Sequence, residues 1–247
     1  MTYSILSINP GHNGSAALVV DGEVIFYGEE ERFSRMKYDG NPFRAMINIL
    51  SNYQVDELVI GGTTNQLHQL PWTGENSYTA LARKFNPNIK ITKMGDLHHL
   101  GHAAGAFYNS GFETAVAIVA DGAGSVHQVM VDENQGVAGF ETESIYKCSY
   151  PGNFDAIYKR YADGNSFYYD NGVQEFDNTV TITKAYEAVS NYLGFGFIEA
   201  GKTMGLSSYG KYDENIPPLF IYGKGNKNLL RPHYPAGIPA TARALRR

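Results

Sequence analysis

The chain has 247 residues, a formal charge of −5, one cysteine and 27 glycines. That length can enclose a hydrophobic core without disulfides or metals, and 43% hydrophobic with 18% charged residues excludes a disordered chain. The single Cys148 excludes an internal disulfide and a cysteine-based zinc cluster and fits a reducing compartment, and the mild acidity leaves no global basic footprint for nucleic acid.

The first thirty residues read as consecutive strands. Tyr3–Ile8 is a short apolar run, and Ser15–Val20 and Glu23–Tyr27 flank Asp21-Gly22, a strong hairpin signal. A dense charged run, Glu29-Glu30-Glu31-Arg32-Phe33-Ser34-Arg35, follows directly. Such a run ordinarily forms a solvated face, and its place beside the hairpin also suits Arg32 or Arg35 to an anionic substrate. Pro42 stands where a helix can start, and Phe43, Met46, Ile47 and Leu50 recur at helical spacing. Glu57–Gly61 predicts a strand, Ser77–Phe85 a helix, Ile89–Thr92 a strand and Leu97–Tyr108 an alanine-rich helix. Thr114–Ala120 reads as a buried strand running into Asp121-Gly122-Ala123-Gly124-Ser125, with His127–Val131 as the next strand. Hairpins mixed with crossovers predict an α/β protein with a mixed sheet.

The second half is less regular. Residues 151–178, rich in Tyr, Asp, Asn and Gly, read as an aromatic, loop-heavy insert, in which the tyrosines of 158–169 either pack or line an acceptor pocket. Thr183–Leu193 predicts an amphipathic helix. From Ile216 the chain carries five prolines, has no acid, and ends in a basic tail that reads as unpacked. The longest strongly apolar stretch, around Ala115–Ala120, is far short of the ~20 residues that cross a bilayer. No positive region precedes the first apolar run, so a soluble, cytoplasmic protein is expected.

Glycine makes up about 11% of the chain against a usual ~7%, an excess that signals tight turns or backbone held close to a ligand. Asn9-Pro10-Gly11-His12-Asn13-Gly14-Ser15 and Asp121-Gly122-Ala123-Gly124-Ser125 share a pattern of strand, Gly-rich turn with Gly-Ser, then strand. Two such hairpins either are ordinary turns or face each other and hold a phosphorylated ligand on backbone N–H groups.

His98-x-x-x-His102 on the predicted helix places two imidazoles on one face, able to meet one cation. Asp121, at the end of the following strand, is a natural third ligand for zinc or iron, while His99 points about 100° away on an ideal helix. His12, in its turn, is either solvent-exposed or a general base. Gly196–Thr203 matches the spelling G-x-x-x-x-G-K-[ST] but follows a predicted helix where a P-loop follows a strand, which leaves Lys202 as an ordinary cation within reach of a phosphate.

NPGHNGSAALVVDGEV, EEERFSRMK, HHLGHAAGAF, VADGAGS and GKTMGLSSYG, in this order from about Tyr3 to Tyr209, resemble the carbamoyltransferase family of nodulation protein U and the antibiotic-tailoring enzymes of tobramycin and cephamycin synthesis. The resemblance implies an actin-like ATPase, or sugar-kinase (ribonuclease H-like), fold of mixed sheets flanked by helices. It divides the chain into a first subdomain at 1–120, the start of a second at 121–215 and a tail at 216–247. It implies transfer of a carbamoyl group to an acceptor hydroxyl, sugar or nucleoside, from carbamoyl adenylate that a separate domain makes from carbamoyl phosphate and ATP. By similarity His98, His102 and Asp121 are ligands of a divalent metal, iron(II) foremost, with zinc or manganese as alternatives. His12 matches the proton acceptor. Asn9, Gly11, Asn13, Gly14, Ser15, Gly122, Gly124, Ser125, Lys202 and Gly205 fall on the segments expected around nucleotide and carbamoyl phosphate. The family has Asp where this chain has Asn13. Its fourth metal ligand and adenylate-forming domain are expected beyond residue 247, so a non-catalytic remnant, or half of a split enzyme with a second chain, is the competing reading.

Overall fold

A computed structural model describes residues 2–61, 76–163, 169–196, 198–222 and 230–232. The chain packs as two compact units, Met1–Gly101 and His102–Arg247. Both contain mixed sheets and helices, as expected for an α/β protein.

The first unit is built on a five-stranded sheet in the order β3-β2-β1-β4-β5. Strands β1 (Ser4–Asn9), β2 (Ser15–Val20) and β3 (Glu23–Glu29) form an antiparallel meander. Asp21 (φ 49°) and Gly22 (φ 89°) supply the two left-handed residues that a tight hairpin turn requires. Strands β4 (Glu57–Ile60) and β5 (Lys90–Lys93) add in parallel beside β1. A short helix α1 (Glu30–Ser34) follows β3, and α2 (Phe43–Asn52) and α3 (Ser77–Phe85) lead into β4 and β5. The core joins Leu6, Ile8, Leu18, Leu58 and Ile60 from the sheet to Met46, Ile49 and Tyr78 from the helices. Each large side chain buried there contributes about 1.5–3 kcal/mol. Ile47, expected on the apolar stripe of α2, is instead 41% exposed, with Ala45 and Ile49 taking the inward positions.

Glu29–Arg35 is not a solvated face. Glu30 and Glu31 are buried, because α2 begins at a proline with no side-chain cap and Glu30 does the capping from α1. Its carboxylate accepts the N–H groups of Arg44 (3.1 Å) and Ala45 (2.9 Å), which satisfies two of the open donors at the helix start and places negative charge on the positive end of its dipole.

The second unit is organised by one long strand, β8 (Gly136–Ser149). On one side it pairs with β9 (Asn153–Ala162), to which β11 (Gln174–Phe176) adds in parallel and β10 (Tyr169–Asp170) antiparallel to β11. On the other side it pairs with both β6 (Thr114–Ala120) and β7 (Val126–Met130). Helix α4 (His98–Ser110) begins in the first unit and continues from His102 in the second, and α5 (Ile182–Tyr192), α6 (Ala200–Ser207) and a small ribbon of β12 (Phe220–Tyr222) and β13 (Leu230–Pro232) complete the set.

Three expectations are corrected here. The supposed loop-heavy insert holds β9, β10 and β11. Its cations are paired, mostly across the sheet to β8: Arg160 bonds Glu143 (3.2 Å) on β8 and Asp177 (3.1 Å) within the segment, and Lys159 pairs with Glu141 on β8. Tyr161 stacks on Phe176 and Tyr158 donates to Glu175 (2.8 Å), so these tyrosines pack. Residues 164–168 of that segment lie outside the described residues. The β6 strand is buried on one face only: Ala117 and Val119 face inward, while Val116 (61%) and Ile118 (72%) are exposed. The segment after Ile216 pairs as β12 and β13, and its basic end, 233–247, lies outside the described residues. No helix among the described residues is long and apolar enough to cross a membrane.

Candidate functional site

The two Gly-rich segments differ in topology. β1 and β2 pair directly, so Asn9–Ser15 is a true hairpin end. β6 and β7 do not pair with each other. They lie in succession along one edge of β8, with Ala120 opposite Glu143 and Val126 opposite Phe140. Residues 121–125 are thus a wide bulge standing against 141–142. The second hairpin expected from the internal repeat is absent.

The bulge interrupts the ladder, and Asp121 is its first residue. Its main chain is fixed on both sides: the Asp121 N–H donates to the Thr142 carbonyl (2.9 Å), and the Asp121 carbonyl accepts from Thr183 Oγ1 on α5 (2.7 Å). The carboxylate accepts the Gly122 N–H on Oδ1 (2.6 Å), which orients it. Gly124 donates to the Glu141 carbonyl (2.8 Å), and Glu141 donates to the Ser125 carbonyl (3.0 Å). Behind the bulge, the buried Glu141 carboxylate pairs with Lys159 and lies 3.4 Å from His127 Nε2. Burial alone would lower the Lys159 ammonium; the Glu141 hydrogen bond, joined by the charges of Tyr161, Glu141 and Tyr146, together offset it, so the group is raised overall.

On α4, His98 and His102 are one turn apart. One nitrogen from each and one Asp121 carboxylate oxygen lie within 4.8 Å of one another. Donors sharing an ion at about 2.1 Å stand about 3–4 Å apart, so small side-chain adjustments close the set around one cation. Two imidazoles and a carboxylate suit iron(II), zinc or manganese. His99 is fully buried and takes no part in this group.

In the first unit, His12 is exposed at the crest of its turn. Its Nδ1 lies 3.0 Å from Asn13 Oδ1, and Asn13 adopts the left-handed conformation (φ 62°). With the amide oxygen accepting, Nδ1 is the donor of this pair, and Nε2 is the ring nitrogen turned away from it. The turn amides have other work. Gly11 donates to the Gly40 carbonyl (2.9 Å) and Gly14 to the Asp39 carbonyl (2.8 Å). With Gly122 and Gly124 engaged as above, these four N–H groups have acceptors within the protein in this structure. Ser125 is fully buried. Asn9 and Ser15 are paired residues of the β1–β2 ladder.

Gly201, Lys202, Thr203 and Gly205 lie within α6, after the helix α5, so this segment has neither the loop nor the preceding strand of a P-loop. Lys202 pairs with Glu199, and Thr203 is buried with its hydroxyl 2.6 Å from that of Ser190. Arg32 is largely exposed, with Glu29 and Glu31 each 3.9 Å away. Arg35 caps α1 in the left-handed conformation. Sequence reading missed Thr183, Glu141, Glu31 and Gly40, because what they do depends on partners distant in the chain.

A model of the carbamoyltransferase N-terminus family matches residues 72–228, and the chain belongs to that family. It is similar to nodulation protein NolNO of Sinorhizobium fredii, 26% identical over 220 residues, covering 81% of this chain and 28% of that protein. It is also similar to an uncharacterized protein of Methanocaldococcus jannaschii, 30% identical over 124 residues, covering 49% of this chain and 22% of the other. The chain thus spans less than a third of the length of either relative.

Proposed function

We propose that this chain carries the transfer step of a carbamoyltransferase, on a fold of the actin-like ATPase type. The donor is carbamoyl adenylate, made from carbamoyl phosphate and ATP by a separate domain or a second chain. The acceptor is a small-molecule hydroxyl, on a sugar or nucleoside. The observation that carries this reading is the convergence of His98, His102 and Asp121 in a chain of this family.

The acceptor hydroxyl gives its proton to His12 Nε2 as its oxygen attacks the carbamoyl carbon. A new C–O bond forms, the bond from that carbon to the adenylate phosphate oxygen breaks, and AMP leaves. Asn13 holds the imidazole in the tautomer with Nε2 free, using a neutral acceptor in place of a charged one. His98, His102 and Asp121 would hold a divalent cation, whose chemistry when bound is to polarise a carbonyl or phosphoryl oxygen as a Lewis acid. Lys202, which also pairs with Glu199, and Arg32 or Arg35 are cations assigned to anionic parts of the substrate.

The test begins with metal content. Purified protein is expected to carry a stoichiometric divalent metal that His98→Ala removes. Synthetic carbamoyl adenylate, offered with a panel of hydroxyl acceptors and read by mass, is expected to give a carbamoylated product. Absence of metal, together with ligand binding left intact by His98→Ala, defeats the site assignment.

A further inference from the structure

We propose that Arg35–Asn41 is a strap that positions His12 for proton transfer, with Gly40 as its positioning residue and Glu31 as its anchor; this rests on His12 being the proton acceptor. The strap leaves α1 at Arg35 (φ 62°) and turns again at Tyr38 (φ 61°). Two non-glycine residues in the left-handed region within four positions carry backbone strain, which persists only where surrounding contacts impose it.

Those contacts come from Glu31. Its buried carboxylate bonds Lys37 Nζ (3.0 and 3.1 Å) and accepts the Tyr38 N–H (3.3 Å), fixing the middle of the strap to α1. The far end is held where the Asn41 N–H meets Asp39 Oδ1 (3.2 Å) and Tyr78 Oη meets Asn41 Oδ1 (3.3 Å).

Between these anchors the strap lies against the His12 turn, backbone to backbone. Gly40 accepts from Gly11 and Asp39 from Gly14, while the Gly14 carbonyl accepts the Glu30 N–H (2.7 Å). His12 and Asn13 are therefore a two-residue arch with both feet fixed. The seam requires glycine on each side. A Cβ at Gly14 would sit 2.7 Å from the Gly40 carbonyl carbon, and one at Gly40 would fall on the Gly11 carbonyl. The main chain beneath an exposed imidazole fixes its Cα–Cβ vector, and the contact of His12 Nδ1 with Asn13 Oδ1 (3.0 Å), on the same arch, narrows the ring's remaining rotation. Displacements of about 1 Å are enough to cost proton transfer heavily.

The test compares wild type, Gly40→Ala, Lys37→Met and His12→Ala by amide hydrogen exchange at Gly11 and Gly14 and by AMP release from synthetic carbamoyl adenylate in the presence of a hydroxyl acceptor carbamoylated by the wild type, corrected for release without acceptor. Gly40→Ala is expected to lower protection of both amides and kcat by about tenfold or more, with KM within about twofold. Lys37→Met changes an exposed side chain, keeps the fold if Gly40→Ala loses it, and is expected to shift both readouts the same way by about two- to fivefold. If Gly40→Ala or Lys37→Met lowers protection and leaves kcat at the wild-type value, or if neither lowers protection, the strap is overturned. If His12→Ala itself retains kcat, the proton-acceptor assignment fails, and the strap's catalytic role fails with it.

Discussion

The turns Asn9–Ser15 and Asp121–Ser125 share a spelling, and they spend their glycines differently. In the first, glycine allows two stretches of main chain to touch: Gly14 and Gly40 face each other with no room for a Cβ on either. In the second, Gly122 has open space where its Cβ would be, and the distinguishing feature is the bulge that interrupts the β8 edge at Asp121. On the proposed reading, one turn is rigid so that the residue on its crest is aimed. The other is a gap in a ladder from which a carboxylate is offered to a metal. Similar Gly-Ser strings therefore arise from two physical requirements.

The largest effect that would sharpen this contrast is on the metal. Asp121→Asn keeps the acceptor for the Gly122 N–H and removes the charge, and it is expected to abolish stoichiometric metal in purified protein, measured by elemental analysis. Metal retained at wild-type stoichiometry would break the view that the bulge exists to present a ligand. Next come the glycines themselves. Gly14→Ala is expected to destabilise the protein by about 1–3 kcal/mol through overpacking of backbone on backbone. Gly122→Ala should change stability by no more than about 0.5 kcal/mol. Equal losses in denaturant unfolding would erase the distinction. A smaller effect is expected at Thr183→Val, which removes the hydroxyl donor to the Asp121 carbonyl (2.7 Å). It should cost about 1 kcal/mol and weaken metal affinity measured by competition with a chelator, while leaving amide protection at Gly11 and Gly14 unchanged.

Much of the first unit was legible because its signals are local. Asp21-Gly22 announces a hairpin, and the helical spacing of Met46 and Leu50 announces α2. His98 and His102 were legible as a pair for the same reason: the helix repeat places them together before any tertiary contact forms. Asp121 was legible as a strand end, but not the bulge that orients it, since the strand it lies on pairs with β8, downstream in the chain. The charged runs misled. Glu30 and Glu31 read as solvated because burial of a carboxylate shows only when its donors are known, and those donors are the amides of Arg44, Ala45 and Tyr38 and the ammonium of Lys37. Lys159 and Arg160 hid β9 in the same way, their partners lying across the sheet.

The smallest expected effect concerns acid. The Lys37 hydrogen bond, followed by the Tyr38 N–H, holds the Glu31 carboxyl below the usual carboxylate range. In the unfolded chain those donors are gone and the carboxyl returns to its ordinary value. As pH falls, the unfolded state therefore takes up the proton first, and protonation favours unfolding. The stabilisation from Glu31 is complete above the ordinary carboxylate range and is lost as pH drops through that range towards the lower folded value. Lys37 is 66% exposed on its side chain, so solvent screens the pair and the effect is modest. Amide exchange at Gly11 and Gly14 should quicken on acidification relative to Gly124, whose acceptor is the Glu141 carbonyl, after correction for intrinsic rates. Glu31→Gln should flatten that relative pH dependence. If the variant keeps the wild-type acid response, the carboxylate does not anchor the strap, and the first turn loses the rigidity that sets it apart from the second.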